Sequence, residues 1–108
     1  MKAMVIKEFG GPEVFELRDV PKPEIGPNQV LVRVHATSVN PVDMGVRQAG
    51  SWAGVEPPAV IGYDVSGVVE AVGAGVVDVV AGDEVYYSPE ISGQWGSYAE
   101  YNAVDAAI

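Results

Sequence analysis

The sequence predicts a mainly β domain, an antiparallel sandwich or partly open barrel of six or seven short strands. Segments in which apolar and polar residues alternate, as in half-buried strands, recur along the chain. Turn residues separate these segments about every 8–12 positions, and the chain has 13 glycines and eight prolines. With 108 residues, 48% of them hydrophobic, it can bury a core as one domain over residues 1–108.

The predicted strands follow one another with short turns between them. The first two flank Gly10-Gly11-Pro12 and fit a hairpin. The third has the clearest alternation, with Val30, Val32 and Val34 on one face. In chain order, we expect strands at residues 2–8, 14–20, 29–37, 64–72, 76–80, 84–88 and 97–104. Gly67, inside the fourth of these strands, predicts a bulge or a tight bend.

A loop-rich insert at residues 36–64 interrupts the strands and gathers polar groups. Asn40-Pro41-Val42-Asp43 predicts the start of a short helix. Asn is a favoured N-cap, Pro is preferred at the first helical position, and an acid in the first turn suits the helix dipole. The helix must end near Gly50, and Pro57-Pro58 rules out regular structure just before the next strand.

Composition excludes several classes of function. The chain has no cysteine and a single histidine, His35, which rules out disulfides and a zinc site built on Cys or several His. We expect His35 to be structural. The net charge is −9, and residues 48–108 contain nine acids and no base, which argues against nucleic-acid binding. Neither a signal segment nor a membrane-spanning run is visible, so we expect a cytoplasmic protein without a membrane partner.

Four motifs occur in order along the chain: Asn40-Pro41-Val42-Asp43, then GYDVSGVVEAVG at 62–73, GDEV at 82–85 and GSYAEY at 96–101. Together they resemble the N-terminal GroES-like domain of medium-chain dehydrogenases/reductases, in particular the zinc-independent quinone oxidoreductases and enoyl reductases. The resemblance covers almost the whole chain. It implies a GroES-like partly open antiparallel β-barrel with a short helix in the Asn40–Gly50 region.

The resemblance implies an NADPH-dependent oxidoreductase that reduces quinones or activated C=C bonds without zinc. Zinc alcohol dehydrogenases have a zinc-binding Cys at the position of Asn40 and a His at that of Tyr63, and neither residue present here suits zinc. The Rossmann domain of the family is absent from this chain. Gly73-Ala74-Gly75 precedes β-branched residues and not a helix, so we reject it as a dinucleotide fingerprint. We therefore expect these 108 residues alone to bind NADPH poorly and to be inactive.

The resemblance also assigns the site residues, which would line a cleft. Asn40, Asp43 and Arg47 are the expected cofactor-binding residues. Tyr63 is the expected catalytic and substrate-binding residue, and Trp52 is expected to form a wall for a flat substrate. Each has a structural alternative. Asn40 could serve only as the helix cap, Asp43 as a first-turn acid and Arg47 as a solvated helix residue. Tyr63 could be a ring that fills space, and Trp52 a rim residue. The remaining aromatic residues in the second half of the chain are expected to serve mostly in packing.

Two other functions stay open at this point. One is a stand-alone GroES-like binding or assembly module, like a co-chaperonin subunit, although the helix and motifs of the insert are features that a mobile co-chaperonin loop would not need. The other is a relative that kept the fold and lost the chemistry. The expected partner is a small-molecule quinone or enone, and a homodimer is one oligomeric state that the sequence leaves open.

Overall fold

The computed structural model describes residues 1–91 and 93–107, and in that part the chain forms seven strands, one α-helix and two short 3-10 helices. The strands are β1 (Lys2–Ile6), β2 (Phe15–Asp19), β3 (Gln29–Ala36), β4 (Ala59–Val60), β5 (Val65–Val72), β6 (Glu84–Tyr87) and β7 (Tyr101–Asp105). The helix α1 spans Pro41–Ala49, and the 3-10 helices span Pro12–Val14 and Gly50–Ala53. No helix in the described ranges is long and apolar enough to cross a bilayer.

The strands form two antiparallel sheets that are not closed on each other. One has three strands in the order β2-β1-β4, and the other has four in the order β6-β5-β3-β7. The segment before β7 links them, because Met4 of β1 donates its N–H to Tyr98 O at 2.9 Å and Val34 of β3 donates to Glu100 O at 2.8 Å. The predicted mainly β, partly open antiparallel barrel is confirmed.

Each sheet buries its own apolar cluster. The cluster beside the three-stranded sheet collects residues from β1, the helix and the loops around it, and its fully buried members include Ile6, Val46, Val55, Ile61 and Tyr63. The cluster of the four-stranded sheet is almost entirely valine, with Val30, Val32, Val65, Val69 and Val104. The helix therefore packs against the core through Val46, which is completely buried.

The short helix forms where the sequence predicts it. Asn40 is the N-cap, with extended backbone angles, Pro41 is the first helical residue, and the Asp43 carboxylate accepts the Asn40 backbone N–H at 2.6 Å. This is one half of a capping box, which supplies a partner to a backbone donor at the start of the helix. Gly50 ends the helix, as expected.

A bulge lies next to Gly67, as predicted. Gly67 of β5 pairs with Val34, whereas the next pair is Ser66 with Ala36, so that His35 is an extra residue in β3. A β-carbon on Gly67 would lie 2.2 Å from the carbonyl oxygen of Arg33, which only a glycine avoids. The bulge sits at the end of β3, immediately before the insert that contains α1.

Two predicted strands are wrong in whole or in part. Residues 76–80 form no strand, because the chain here is turned by hydrogen bonds such as Val76 N to Gly73 O at 3.0 Å and Asp83 N to Val80 O at 3.1 Å. The predicted strand at 97–104 begins later, at Tyr101. Its first residues bond instead to the segment after β4, where Ser97 N donates to Gly62 O at 2.9 Å.

We predict opposite stability changes for alanine at two glycines. Gly67→Ala should lower the free energy of unfolding by about 1–3 kcal/mol, because its β-carbon would overlap the Arg33 carbonyl. Gly45→Ala should raise it by about 0.5–1 kcal/mol, because Gly45 lies inside α1 and an added β-carbon meets only the Trp52 ring at 4.0 Å. Urea unfolding measures both, and a Gly67→Ala variant as stable as the wild type would contradict the close approach of Gly67 to Arg33.

Candidate active site

A cluster of hydrogen bonds converges on the carboxylate of Asp64, between β4 and β5. Its Oδ2 accepts the Ser38 hydroxyl at 2.5 Å and the Asn40 side-chain N–H at 2.6 Å. Its Oδ1 accepts the Ser88 hydroxyl at 3.1 Å. The Asn40 amide also donates to Ser38 Oγ at 3.1 Å. These hydrogen bonds, that from Ser38 first, lower the pKa of Asp64 below its ordinary value of 3.8.

The Asp64 cluster joins three segments that are distant in sequence. Ser38 and Asn40 follow β3, Asp64 precedes β5, and Ser88 follows β6. Among the described residues, the side-chain partners of the Asp64 carboxylate are two hydroxyls and an amide. Asp64 is half-buried, not buried.

Asp43 is buried next to this cluster and is only half satisfied. Its exposed fraction is 3%, and its Oδ2 accepts the Asn40 backbone N–H. Its Oδ1 is buried without a hydrogen-bond partner in the described residues. A buried acceptor left unpaired costs free energy, on the order of 1–3 kcal/mol.

Tyr63 is buried in the core cluster, with 4% of its surface exposed. Its hydroxyl also lacks a partner among the residues that the structure describes. Burial, with a further contribution from the Asp43 charge, raises the pKa of Tyr63 to about 12. The phenol is therefore neutral at pH 7 and keeps its proton.

Two pockets lie on either side of the Ala36–Thr37 segment, which lines both. The first, called here the apolar pocket, has a volume of about 540 Å³. Its apolar wall includes Met4, Phe15, Val39 and Met44. Asp43, Arg47 and Tyr98 supply polar groups to the same wall.

The second pocket, called here the hydroxyl pocket, has a volume of about 500 Å³. Its lining includes the hydroxyl-bearing residues Ser38, Ser66, Ser88, Tyr86 and Tyr87. Asp64 lies in the same wall. The two pockets thus differ in chemistry. The start of α1 contacts both, because Asn40 bonds to Asp64 of the hydroxyl pocket and Asp43 lines the apolar pocket.

The structure divides the predicted site residues into three groups. Asp43 and Arg47 line the apolar pocket, and Arg47 also donates from Nε to Gly10 O at 3.1 Å. Asn40 bonds to Asp64 at the hydroxyl pocket. Tyr63 and Trp52 line neither pocket: Tyr63 lies in the core, and Trp52 follows the helix with 65% of its surface exposed.

Several functional candidates are absent from the sequence-based set. Tyr98, expected to serve in packing, lines the apolar pocket, and burial raises the pKa of its hydroxyl. Thr37 and Ser97 share a hydroxyl–hydroxyl bond of 2.7 Å in the same wall. In the sequence, only their place in the GSYAEY motif marks Ser97 and Tyr98 as candidate site residues. The packing role expected for Tyr86 is wrong, because 89% of its surface is exposed.

The groups around Asn40 do not fit a zinc ion. The Asn40 amide nitrogen already donates to Asp64 and Ser38, and an amide nitrogen is not a zinc ligand. Within residues 1–91 and 93–107, no three His, Cys, Asp or Glu side chains stand close enough to hold a metal ion.

Comparison with known proteins places this chain in a family. The model of the "Alcohol dehydrogenase GroES-like domain" matches residues 26–108. The chain belongs to this GroES-like domain family. The GroES-like chain is 46% identical over 115 residues to the NADPH-dependent alkenal/one oxidoreductase, chloroplastic, of Arabidopsis thaliana, an alignment that covers all of this chain and 30% of that protein.

Two quinone oxidoreductases are also similar to the GroES-like chain. The human protein is 43% identical over 100 residues, which are 92% of this chain and 30% of that protein. The structure of the Coxiella burnetii protein superposes with a TM-score of 0.89 at 37% identity, covering 98% of this chain and 35% of that one. The GroES-like chain therefore spans about a third of the length of these relatives. The predicted resemblance to medium-chain dehydrogenases/reductases is confirmed.

We predict that Asp64 contributes to the pH dependence of stability in acid. A carboxyl group whose pKa is lower in the native state stabilises the fold above its unfolded pKa, and this contribution is lost as the pH falls through the native pKa. Asp64→Asn should therefore lose less stability than the wild type between about pH 5 and pH 3. Urea unfolding across this range measures the difference.

The matched control is Asp78→Asn, since Asp78 is exposed and lies outside the Asp64 cluster. This variant should follow the wild-type pH dependence. If the free energy of unfolding of Asp64→Asn falls in acid as steeply as that of the wild type, the bonds from Ser38, Asn40 and Ser88 contribute nothing to stability in solution.

Proposed function

We propose that this chain is the substrate-side domain of an NADPH-dependent oxidoreductase that reduces quinones or activated C=C bonds without zinc. The observation that carries the proposal is the Asn40–Asp64 pair, an amide held by a carboxylate at 2.6 Å at the start of α1. In zinc alcohol dehydrogenases a cysteine ligand stands at the position of Asn40. Here an amide bonded to a carboxylate stands at that position, beside Asp43 of the apolar pocket and Asp64 of the hydroxyl pocket.

The donor and acceptor chemistry of this wall fits NADPH. Asp43 lines the apolar pocket, and its Oδ1 is a buried acceptor without a partner among the described residues. NADPH has carboxamide N–H groups and ribose hydroxyls, which are the donors that such an acceptor lacks. Arg47 lines the same pocket and adds a positive charge for an anionic group.

When bound, NADPH supplies the hydride. The residues of this chain must then orient the substrate, exclude water and provide a proton, because each two-electron reduction adds one hydride and one proton. We assign the proton to Tyr63, whose hydroxyl has no described partner. Because Tyr63 is buried in the core cluster and lines neither pocket, this role requires the substrate to reach it by a route other than these two pockets. Trp52, exposed just after α1, is assigned to the wall that holds a flat substrate.

The nucleotide-binding domain is proposed to lie outside these 108 residues. The names of the relatives support the class of reaction, since one is an NADPH-dependent alkenal/one oxidoreductase and another a quinone oxidoreductase. Each relative is about three times as long as this chain. Hydride transfer needs a bound cofactor, so the isolated chain should not turn over.

The test is NADPH oxidation by the full-length gene product with a quinone and with an α,β-unsaturated aldehyde. We expect both reactions to proceed, at rates that a zinc chelator leaves unchanged, and no oxidation above the uncatalysed rate with the 108-residue chain. A chelator-sensitive reaction would contradict the zinc-free proposal. Activity of the isolated chain would contradict its dependence on a second domain.

Tyr63→Phe in the same assay separates the proposed proton donor from a space-filling ring. Reduction of the C=C bond of the aldehyde requires a proton to be transferred to carbon. Loss of the general acid should therefore lower kcat for the aldehyde by about 100-fold. The quinone reaction should change little, since the hydroquinone oxygen can take its proton from water. Tyr101→Phe is the matched control, because the Tyr101 hydroxyl bonds to Glu70 and lines neither pocket. Equal effects of the two variants on both substrates would remove Tyr63 from the role.

A further inference from the structure

His35 stands at the bulge where β3 leaves its regular pairing with β5. Gly67 pairs with Val34 and Ser66 with Ala36, which leaves His35 as the extra residue. Successive side chains of a regular strand alternate between its two faces. The bulge interrupts this alternation, and the four consecutive residues 34–37 all line the apolar pocket. The His35 side chain is exposed there, so a ligand in the pocket can reach its imidazole.

The surroundings of His35 in this pocket are mostly apolar. Met4, Phe15, Val39 and Met44 belong to the same lining, in a cavity of about 540 Å³. Met4 is 37% and Met44 45% exposed, and methionine side chains adapt their shape to an apolar partner. An alkyl chain that leaves water for this wall is therefore held in the same cavity as the imidazole.

His35 is a nitrogen nucleophile in the wall of the apolar pocket. A neutral imidazole has a lone pair on one ring nitrogen, and histidine can use it to form a covalent bond. The chain has no cysteine, whose thiolate would be the stronger competitor, and none of Lys2, Lys7 and Lys22 belongs to this lining. Arg47 does line the pocket, but its guanidinium has no lone pair to offer.

We propose that His35 is a covalent modification site for α,β-unsaturated aldehydes with an alkyl tail, which the apolar pocket holds beside the imidazole. The choice of electrophile rests on the proposed function, because activated C=C bonds are the substrates assigned there. The ring nitrogen attacks the β-carbon, and the C=C electron pair moves to the α-carbon. The N–H proton of the resulting imidazolium passes through water to the α-carbon. The product is a Michael adduct, and no oxidant, reductant or leaving group takes part.

The test treats the 108-residue chain with trans-2-hexenal or with trans-2-octenal, without NADPH. Borohydride then reduces the aldehyde of each adduct, and peptide mass spectrometry gives the rates of modification at His35 and at the three lysines. Burial of one methylene group strengthens binding about fourfold, so the two additional methylenes of octenal should speed the modification of His35 by up to about 16-fold. The lysine rates should be nearly equal for the two aldehydes.

Substitutions separate the pocket from the nucleophile. Met44→Gln keeps His35 but places an amide in the apolar wall, so it should remove most of the preference of His35 for octenal. Leu17→Gln is the matched control, because Leu17 is 61% exposed and outside this lining, and it should keep the preference. His35→Gln should remove the adduct at this position and leave the lysine rates unchanged. Val39→Gln, at a 75% exposed loop position of the same wall, replaces Met44→Gln if that variant shows no cooperative urea unfolding.

The outcomes separate this inference from the function on which it rests. Adducts confined to the lysines, or equal rates for hexenal and octenal at His35, would overturn the modification site. A preference for octenal that survives in the folded pocket variant would overturn the role of the pocket. These results would leave the proposed oxidoreductase function standing, because the adduct forms without NADPH or turnover. Conversely, a full-length gene product that reduces no alkenal with NADPH would overturn the function, while the adduct on His35 would still be measured.

Discussion

The carboxylate of Asp64 is the group on which the candidate site depends. It accepts hydrogen bonds from Ser38, Asn40 and Ser88, which follow two different strands, and so it holds the ends of these strands together at the start of α1. Because the charge of Asp64 admits only donors, it also sets the orientation of each partner. A short loop-rich insert thereby acquires a defined polar surface.

The fold supplies the two features that bring this surface next to a pocket. The bulge at His35, opposite Gly67, ends the regular pairing of β3 just before the insert. The segment with Ser97 and Tyr98 then bonds to the backbone of residues 61–62 and closes the other side. The apolar pocket lies between these elements, so its walls come from β1, β3, α1 and the segment before β7.

Local patterns in the sequence were enough to predict much of the fold. The alternation in β3, the Asn40-Pro41 helix start and the glycine in β5 each depend on neighbours a few residues apart, and all three were confirmed. Residues 76–80 misled the prediction, because their valines have strand-like composition while Val77 is 84% exposed and the chain is held by turns. Composition alone does not distinguish a valine-rich turn from a strand.

The site was harder to predict, because its contacts join residues far apart in the chain. Asp64 and Asn40 are 24 positions apart, as are Asp64 and Ser88, and no spacing rule connects them. The family motifs named Asn40, Asp43 and Tyr63 but not the contacts that they make. The half-satisfied state of Asp43 became visible only when the atoms around its carboxylate were known.

The most direct measurement of the central interaction is a double-mutant cycle on unfolding free energy with Asn40→Ala, Asp64→Ala and the double variant. If Asp64 holds Asn40, the two single changes must be non-additive, with the double variant losing less stability than the sum of the singles. The same cycle with Asp78→Ala in place of Asp64→Ala should be additive. Additive effects of Asn40→Ala and Asp64→Ala would contradict the claim that this carboxylate organises the site.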